Sequence, residues 1–285
     1  MKFYIVDVFA EQKYQGNQLA VLVPDRVVSD AEMQQIARET NYSETTFITS
    51  GKRENGGYDV RIFTPDVEVP FAGHPTLGTA YVINELMEKG KSDKIILNLK
   101  VGSIPVSVDK GDLVMRQNEP VFGKTIEDRT ELAEILKIGE ADIRTDYPIQ
   151  EVSTGLACVV VPLKSVEALE RCAINHDRYR RFLADTCSCN LLVFAPDTEY
   201  DLRVRVFMFV PGYLEDPATG SANGNLAGYL LRHNFFNGDK IQYTVSQGRE
   251  IKRPSVLRIK ATLSDEKFDI NVGGKTCLVA EGDWL

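Results

Sequence analysis

The chain of 285 residues holds one tryptophan, three histidines and five cysteines, and these shortages narrow its function. The cysteines (Cys158, Cys172, Cys187, Cys189 and Cys277) form no CxxC pair and sit at no metal-ligand spacing from histidine, which argues against a structural zinc, a redox couple or a disulfide scaffold. Cys187-Ser188-Cys189 is the one close pair and reads as a strand entrance. Lysine and arginine form no block, and a net charge of −8 leaves nucleic acid without the basic footprint that it needs. No apolar run approaches the ~18 residues of a membrane span. Asp7 interrupts the amino-terminal strand before a signal-peptide core could form. The expectation is a reduced, cytoplasmic protein with neither nucleic acid nor membrane as partner. No Ser-His-Asp elbow, dinucleotide fingerprint or HExxH occurs, and Gly73 to Gly78 lacks the Lys-Ser/Thr ending of a phosphate loop; no metal and no cofactor are expected.

What is present is a repeat. Phe71-Ala72-Gly73-His74-Pro75-Thr76-Leu77-Gly78 has a counterpart in Asp216-Pro217-Ala218-Thr219-Gly220-Ser221-Ala222-Asn223-Gly224. Val60-Arg61-Ile62-Phe63 precedes the first and Val204-Arg205-Val206-Phe207 the second, and the run ending at Pro24 is echoed by the run ending at Pro162. The offsets are 220 − 73 = 147, 205 − 61 = 144 and 162 − 24 = 138, all near half of 285. Three matches in one order point to two domains related by duplication. The expected boundaries are 1–117 and 118–273, with residues 274–285 a candidate to return to the first domain, and the polar stretch from Gln117 to Arg129 as the crossing.

Each half reads as short, largely antiparallel strands around one apolar helix, an α+β class. Residues 3–9 and 18–23 read as strands joined near Gly16, and Ser29-Asp30-Ala31-Glu32 is a capping box that opens a helix to Thr40 with Met33, Ile36 and Ala37 buried. Pro75 fits the first turn of a helix that is expected to run to Lys89, with Gly90 as its stop. The second such helix spans about Ser221 to Leu231. The simplest packing is a curved sheet or open barrel around each helix.

Exposed N–H groups at a helix start favour an anion, so the two glycine turns form a candidate site for a small acid, with the Gly73 and Gly220 amides as donors. His74 follows a glycine at an enclosed helix start, and its position favours a functional histidine over a structural one. His176 and His233 sit at polar helix ends and are expected to face solvent. Asp216 before Pro217 reads locally as an Asx-turn or N-cap, and Ser221 as an ordinary N-cap. Glu44 reads locally as a solvated loop carboxylate.

The segments Asn41-Tyr42-Ser43-Glu44-Thr45, Phe63-Thr64-Pro65, Glu68 through Gly78 and Glu215 through Ala222 together resemble the PhzF phenazine-biosynthesis family, in order and spacing across essentially the whole chain. The resemblance implies the diaminopimelate epimerase-like fold: two pseudo-symmetric domains, each a barrel around a central helix, with the site in the cleft between them, and a homodimer. It also implies that Glu44 moves a proton between two carbons of the substrate. His74, Asp216 and Ser221 are implied as its partners, and the Gly73 and Gly220 amides as holders of the substrate carboxylate. Epimerase relatives use one cysteine per turn; Ala72 and Thr219 stand there in this chain, which counts against two-thiol racemisation. Gln18 stands where the family usually has proline, which touches a local turn. The expected function is a cofactor-independent isomerase acting on a small carboxylic acid, and the alternative is a non-catalytic small-acid binding protein on the same fold.

Overall fold

A computed structural model describes residues 1–184, 186, 190–210 and 213–285, and the expected strand entrance at Cys187-Ser188-Cys189 lies outside these. The chain divides into two compact units, Met1–Arg116 with Gly273–Leu285, and Gln117–Val272.

Unit 1 opens with β1 (Lys2–Val8), β2 (Asn17–Val23), α1 (Asp30–Thr40), β3 (Thr45–Ile48) and β4 (Gly57–Phe63). It continues with β5 (Glu68–Val69), α2 (Gly73–Tyr81), β6 (Lys94–Leu99), β7 (Gly102–Asp109) and β8 (Asp112–Arg116), and its last strand is β18 (Thr276–Asp283). The ladder runs β18, β1, β2, β3, β4, β6, β7, β8, with β5 added to β4 as a hairpin. It is antiparallel except at β2–β3 and β4–β6. Those two parallel steps are where a helix must cross over, and α1 and α2 make the crossings.

Sequence explains each crossing. Ser29 caps α1 by accepting a hydrogen bond from the Glu32 amide, and Asn41 in the left-handed conformation ends it. Met33, Ile36 and Ala37 pack on Ala20, Leu22, Phe47 and Phe63, one face of the sheet. The other face meets α2, which packs against β1, β2, β3, β6, β7, β8 and β18. Every residue of α2 from His74 to Ala80 is therefore buried. The expected helix to Lys89 is shorter in α form: α2 ends at Tyr81 and continues as a π-helix over Val82–Met87, whose wider turn closes with the Glu88 N–H on the Ile83 carbonyl. Between β1 and β2, Gly16 sits at φ +68, and a Cβ there would lie 2.2 Å from the Val8 carbonyl oxygen. The turn thus depends on Gly16 rather than on a proline at position 18.

Unit 2 contains β9 (Val121–Ile126), α3 (Arg129–Leu136), β10 (Ile149–Ser153), β11 (Ala157–Pro162), α4 (Val166–Arg171), α5 (His176–Ala184), β12 (Asn190–Pro196) and β13 (Leu202–Val210). After these come β14 (Tyr213–Asp216), α6 (Gly220–Arg232), β15 (Lys240–Gln247), β16 (Ser255–Ser264) and β17 (Lys267–Gly274). Its ladder runs β9, β10, β11, β12, β13, β15, β16, with β14 as a hairpin on β13 and parallel steps at β11–β12 and β13–β15. These seven strands repeat the order and sense of β18 through β7 in unit 1, so the repeat read in the sequence is a repeat of topology. Leu191, Val193, Val159 and Val161 pack under α3, α4 and α5. On the opposite side α6 lies on β10, β11 and β16. With both faces covered, β12 is apolar nearly throughout rather than alternating.

Gly78 shows how tightly α2 is held. A Cβ there would lie 2.6 Å from Leu19 Cδ2 and 2.8 Å from Val8 Cγ2, both fully buried side chains. Helix propensity alone makes Gly→Ala stabilising by roughly 1 kcal/mol. Overpacking opposes it by about 1–3 kcal/mol. Gly78→Ala is therefore expected to lower stability in urea unfolding, and a gain in stability would show that the interface yields.

Candidate active site

Glu44 is the last residue before β3, and two side-chain contacts place it. Thr40 Oγ1 lies 2.7 Å from Thr45 Oγ1, bracing the 41–44 segment between α1 and β3. One residue further, Thr46 Oγ1 lies 2.8 Å from Thr79 Oγ1, a buried bond that ties β3 to α2. That bond fixes the strand carrying Glu44 against the helix carrying His74. The outcome is Glu44 Oε2 at 3.5 Å from His74 Nε2, within ion-pair reach and longer than a well-formed hydrogen bond.

The local reading of Glu44 as a solvated carboxylate is corrected. Its side chain keeps 19% exposure, yet Oε2 is buried and has no hydrogen-bond partner among the described residues. Burial pushes the carboxyl up from 4.5 to about 7, and the neighbouring Ser43 side chain opposes the rise. His74 is buried, the second residue of α2. Ala72 is the N-cap and supplies no side-chain bond; its carbonyl instead accepts from the Thr76 amide and, at 2.7 Å, from Thr76 Oγ1. Pro75 contributes no N–H, so Gly73 and His74 carry the amides ahead of it in the first turn of α2.

Unit 2 builds the equivalent turn with different chemistry. Thr219 is the N-cap of α6, so Ser221 lies within the first helical turn and the expectation that it caps the helix is corrected. The Thr219 carbonyl accepts from the Asn223 amide and from Asn223 Nδ2, the same fold-back that Thr76 makes in unit 1. Asp216 is buried and receives hydroxyl donors at both oxygens, Tyr213 at Oδ1 and Thr219 at Oδ2. Gly220 is buried and Ser221 partly exposed.

Behind each turn stands an arginine fork. Arg61 binds both oxygens of Glu68 at 2.8 and 2.7 Å, and Arg205 binds both oxygens of Glu215 at 2.9 and 2.7 Å. Each guanidinium also lies over a phenyl ring, Phe63 at 5.1 Å and Phe207 at 4.7 Å. Glu68 and Glu215 each precede their helix-start glycine by the same interval (73 − 68 = 220 − 215 = 5). The forks therefore hold β5 to β4 and β14 to β13 at a fixed distance from the two anion-ready ends. The sequence reading found the arginines but not their function, because the partner glutamates lie across a hairpin.

Of the expected site residues, Glu44, Gly73 and His74 gather in unit 1, and Asp216, Gly220 and Ser221 in unit 2. Among the other histidines, His176 is exposed, as expected. His233 is instead half-buried, with Nε2 at 2.9 Å from Gln150 Oε1 and its ring on Tyr229; burial, then Arg232, lowers its pKa. No helix among the described residues is long and apolar enough to cross a membrane.

Comparison with known proteins agrees in family and fold. A family model described as phenazine biosynthesis-like protein matches residues 6–282. Trans-2,3-dihydro-3-hydroxyanthranilate isomerase of Pseudomonas aeruginosa is 34% identical over 99% of this chain and 98% of its own. An uncharacterized isomerase of Clostridium acetobutylicum is 32% identical over 98% and 96%. The crystal structure of a PhzF-family phenazine biosynthesis protein from Bacillus anthracis superposes with a TM-score of 0.91 at 26% identity, over 100% of this chain and 99% of that one. A hydroxyproline epimerase from Agrobacterium vitis shares the fold alone, with a TM-score of 0.61 at 10% identity over 99% and 90%.

The buried carboxyl links stability to pH. A pKa raised on folding means that the folded protein holds the proton more tightly than the unfolded chain. The associated stability is complete below 4.5, is lost as pH rises, and is gone above about 7. Glu44→Gln removes that loss, so the variant should exceed the wild type in stability above pH 7 by on the order of 3 kcal/mol. The two should converge toward pH 4.5 in chemical denaturation. A difference that ignores pH would show that Glu44 is not held neutral.

Proposed function

The chain belongs to the phenazine biosynthesis-like family, and from that premise we propose that it is an acid–base isomerase that moves a proton between carbons of a small carboxylic acid. The observation that carries this reading is the Glu44 carboxyl: buried at Oε2, raised to about 7, and 3.5 Å from His74 Nε2. A carboxylate of that basicity can take a proton from an acidic C–H at neutral pH and give it back to another carbon as the carboxylic acid. The electrons of the broken C–H bond move through the conjugated system to the carbon that is reprotonated, so no oxidant or reductant is needed.

The remaining residues take supporting roles. The Gly73 amide in unit 1, and the Gly220 amide with Ser221 in unit 2, each offer donors suited to a substrate carboxylate or to the charge that develops as the proton leaves. His74 tunes Glu44 or meets a substrate heteroatom, and Asp216 offers an acceptor. Ala72 and Thr219 carry no thiol, so exchange of a proton between two opposed cysteines is not the chemistry. The name of the Pseudomonas aeruginosa relative makes trans-2,3-dihydro-3-hydroxyanthranilate the first substrate to try.

The test is turnover of that acid in D₂O, followed by mass gain at carbon. Glu44→Gln should lose about 10²–10⁴-fold while still binding the acid, and wild-type kcat/KM should climb as pH passes about 7, because the base must be ionised. Full exchange in Glu44→Gln removes the assignment, and a profile that falls through 7 reverses the role. Binding of small acids with no exchange across a panel would instead support a binding protein without turnover.

A further inference from the structure

At the end of β15, Gln247 is fully buried and makes four hydrogen bonds, all to the turn that opens α6. Its Oε1 accepts from the Thr219 amide at 3.3 Å and from Asn223 Nδ2 at 3.0 Å. Its Nε2 donates to the Asp216 carbonyl at 2.8 Å and to Thr219 Oγ1 at 3.0 Å. The orientation of this amide follows from chemistry: a backbone carbonyl only accepts and a backbone N–H only donates. Thr219 Oγ1 then receives a proton from Gln247, and its own proton goes to Asp216 Oδ2. The chain of bonds has one direction, from Gln247 through Thr219 to Asp216.

A second contact presses the same strand end onto the turn. Gly248 sits at φ +78, where a Cβ would lie 2.6 Å from the Pro217 carbonyl oxygen and 2.4 Å from that of Arg253. The backbone of β15 is thus packed directly against residue 217. The duplicated half supplies a control: Val69 and Ala72 stand where unit 2 has Asp216 and Thr219 (69 + 147 = 216; 72 + 147 = 219). The helix start of unit 1 forms without that pair, so its hydroxyl and carboxylate are not a requirement of the fold.

We infer that Gln247 is a positioning residue for the reaction, acting through Thr219 to hold Asp216 as a hydrogen-bond acceptor and to fix the first amides of α6. The inference rests on the isomerase reading for its kinetic consequence and on the bond network for its structural one. Gln247→Met keeps the length and removes all four bonds; Thr219→Val cuts the relay while leaving Gln247 its other partners.

With trans-2,3-dihydro-3-hydroxyanthranilate as probe, both variants should lose kcat on the order of tenfold with KM little changed, and Thr219→Ser, which keeps the hydroxyl, should recover most of the loss. In an Asp216→Asn background, Gln247→Met should add little, because both act through one group. Full kcat in both variants, or losses that simply multiply in the double variant, overturns the inference; if Gln247→Met does not fold, Thr219→Val and its rescue decide. The two readings fail separately. Wild-type protein that exchanges no deuterium into the probe removes the isomerase reading. In that event hydrogen–deuterium exchange of the 213–226 segment decides the positioning: it should be about tenfold faster in Thr219→Val than in Thr219→Ser, and equal protection overturns it.

Discussion

The structure depends on one constraint: each unit buries the start of a helix inside a sheet. A helix start carries N–H groups with no acceptor in the helix, and leaving one buried and unsatisfied costs about 1–3 kcal/mol. Water is the usual remedy, and burial removes it. The chain responds the same way twice, with a glycine as the first helical residue and a side chain four residues past the N-cap, Thr76 or Asn223, folded back onto the N-cap carbonyl. The fold-back secures the carbonyl side of the turn and does not use the Gly73 and Gly220 amides, the donors of the proposed anion site. Their dipole contribution is worth about 0.3–1 kcal/mol at a surface and up to ~2 kcal/mol when partly buried, so the enclosure is what makes the end a useful anion site.

Duplication kept the scaffold and divided the chemistry. Both halves retain the strand order, the two parallel crossings and an arginine–glutamate fork across the hairpin before the helix. The positions facing the turn differ: Val69, Ala72, His74 and Gly78 in unit 1 correspond to Asp216, Thr219, Ser221 and Asn225 in unit 2. Gly78 lets α2 approach Leu19 and Val8 closely. Asn225 spends its side chain on the loop before β11, accepting from Thr154 and donating to the Leu156 carbonyl. A helix is held against a sheet by either route, whereas both halves keep the arginine–glutamate fork.

This contrast explains what the sequence disclosed. The apolar helices, the Ser29 cap and the two glycine turns were legible because their signals are local: period, capping residue and glycine spacing. The repeat was legible because the forked arginines sit in matching strands. Glu44 was legible only through the family resemblance, since its environment is made by the Thr46–Thr79 bond, 33 positions apart, and no local pattern distinguishes it from Glu39. Gln247 was invisible for the same reason, being 28 residues from Thr219. The π-helical end of α2 was missed because Val82 to Met87 carries no glycine or proline to mark a change of winding.

The position of Glu44 shows why an enclosed base is held loosely. A full hydrogen bond from His74 would favour the charged form and pull the carboxyl back toward its ordinary 4.5. At 3.5 Å the contact is too long for that, and burial wins. A carboxyl raised to about 7 sits where a proton can be held or released near neutral pH. A residue that must remove a proton from one carbon and return it to another needs both capacities in a single cycle. On the proposed mechanism, the stability that the fold forgoes by keeping Oε2 without a hydrogen-bond partner among the described residues is the physical origin of a two-way proton carrier.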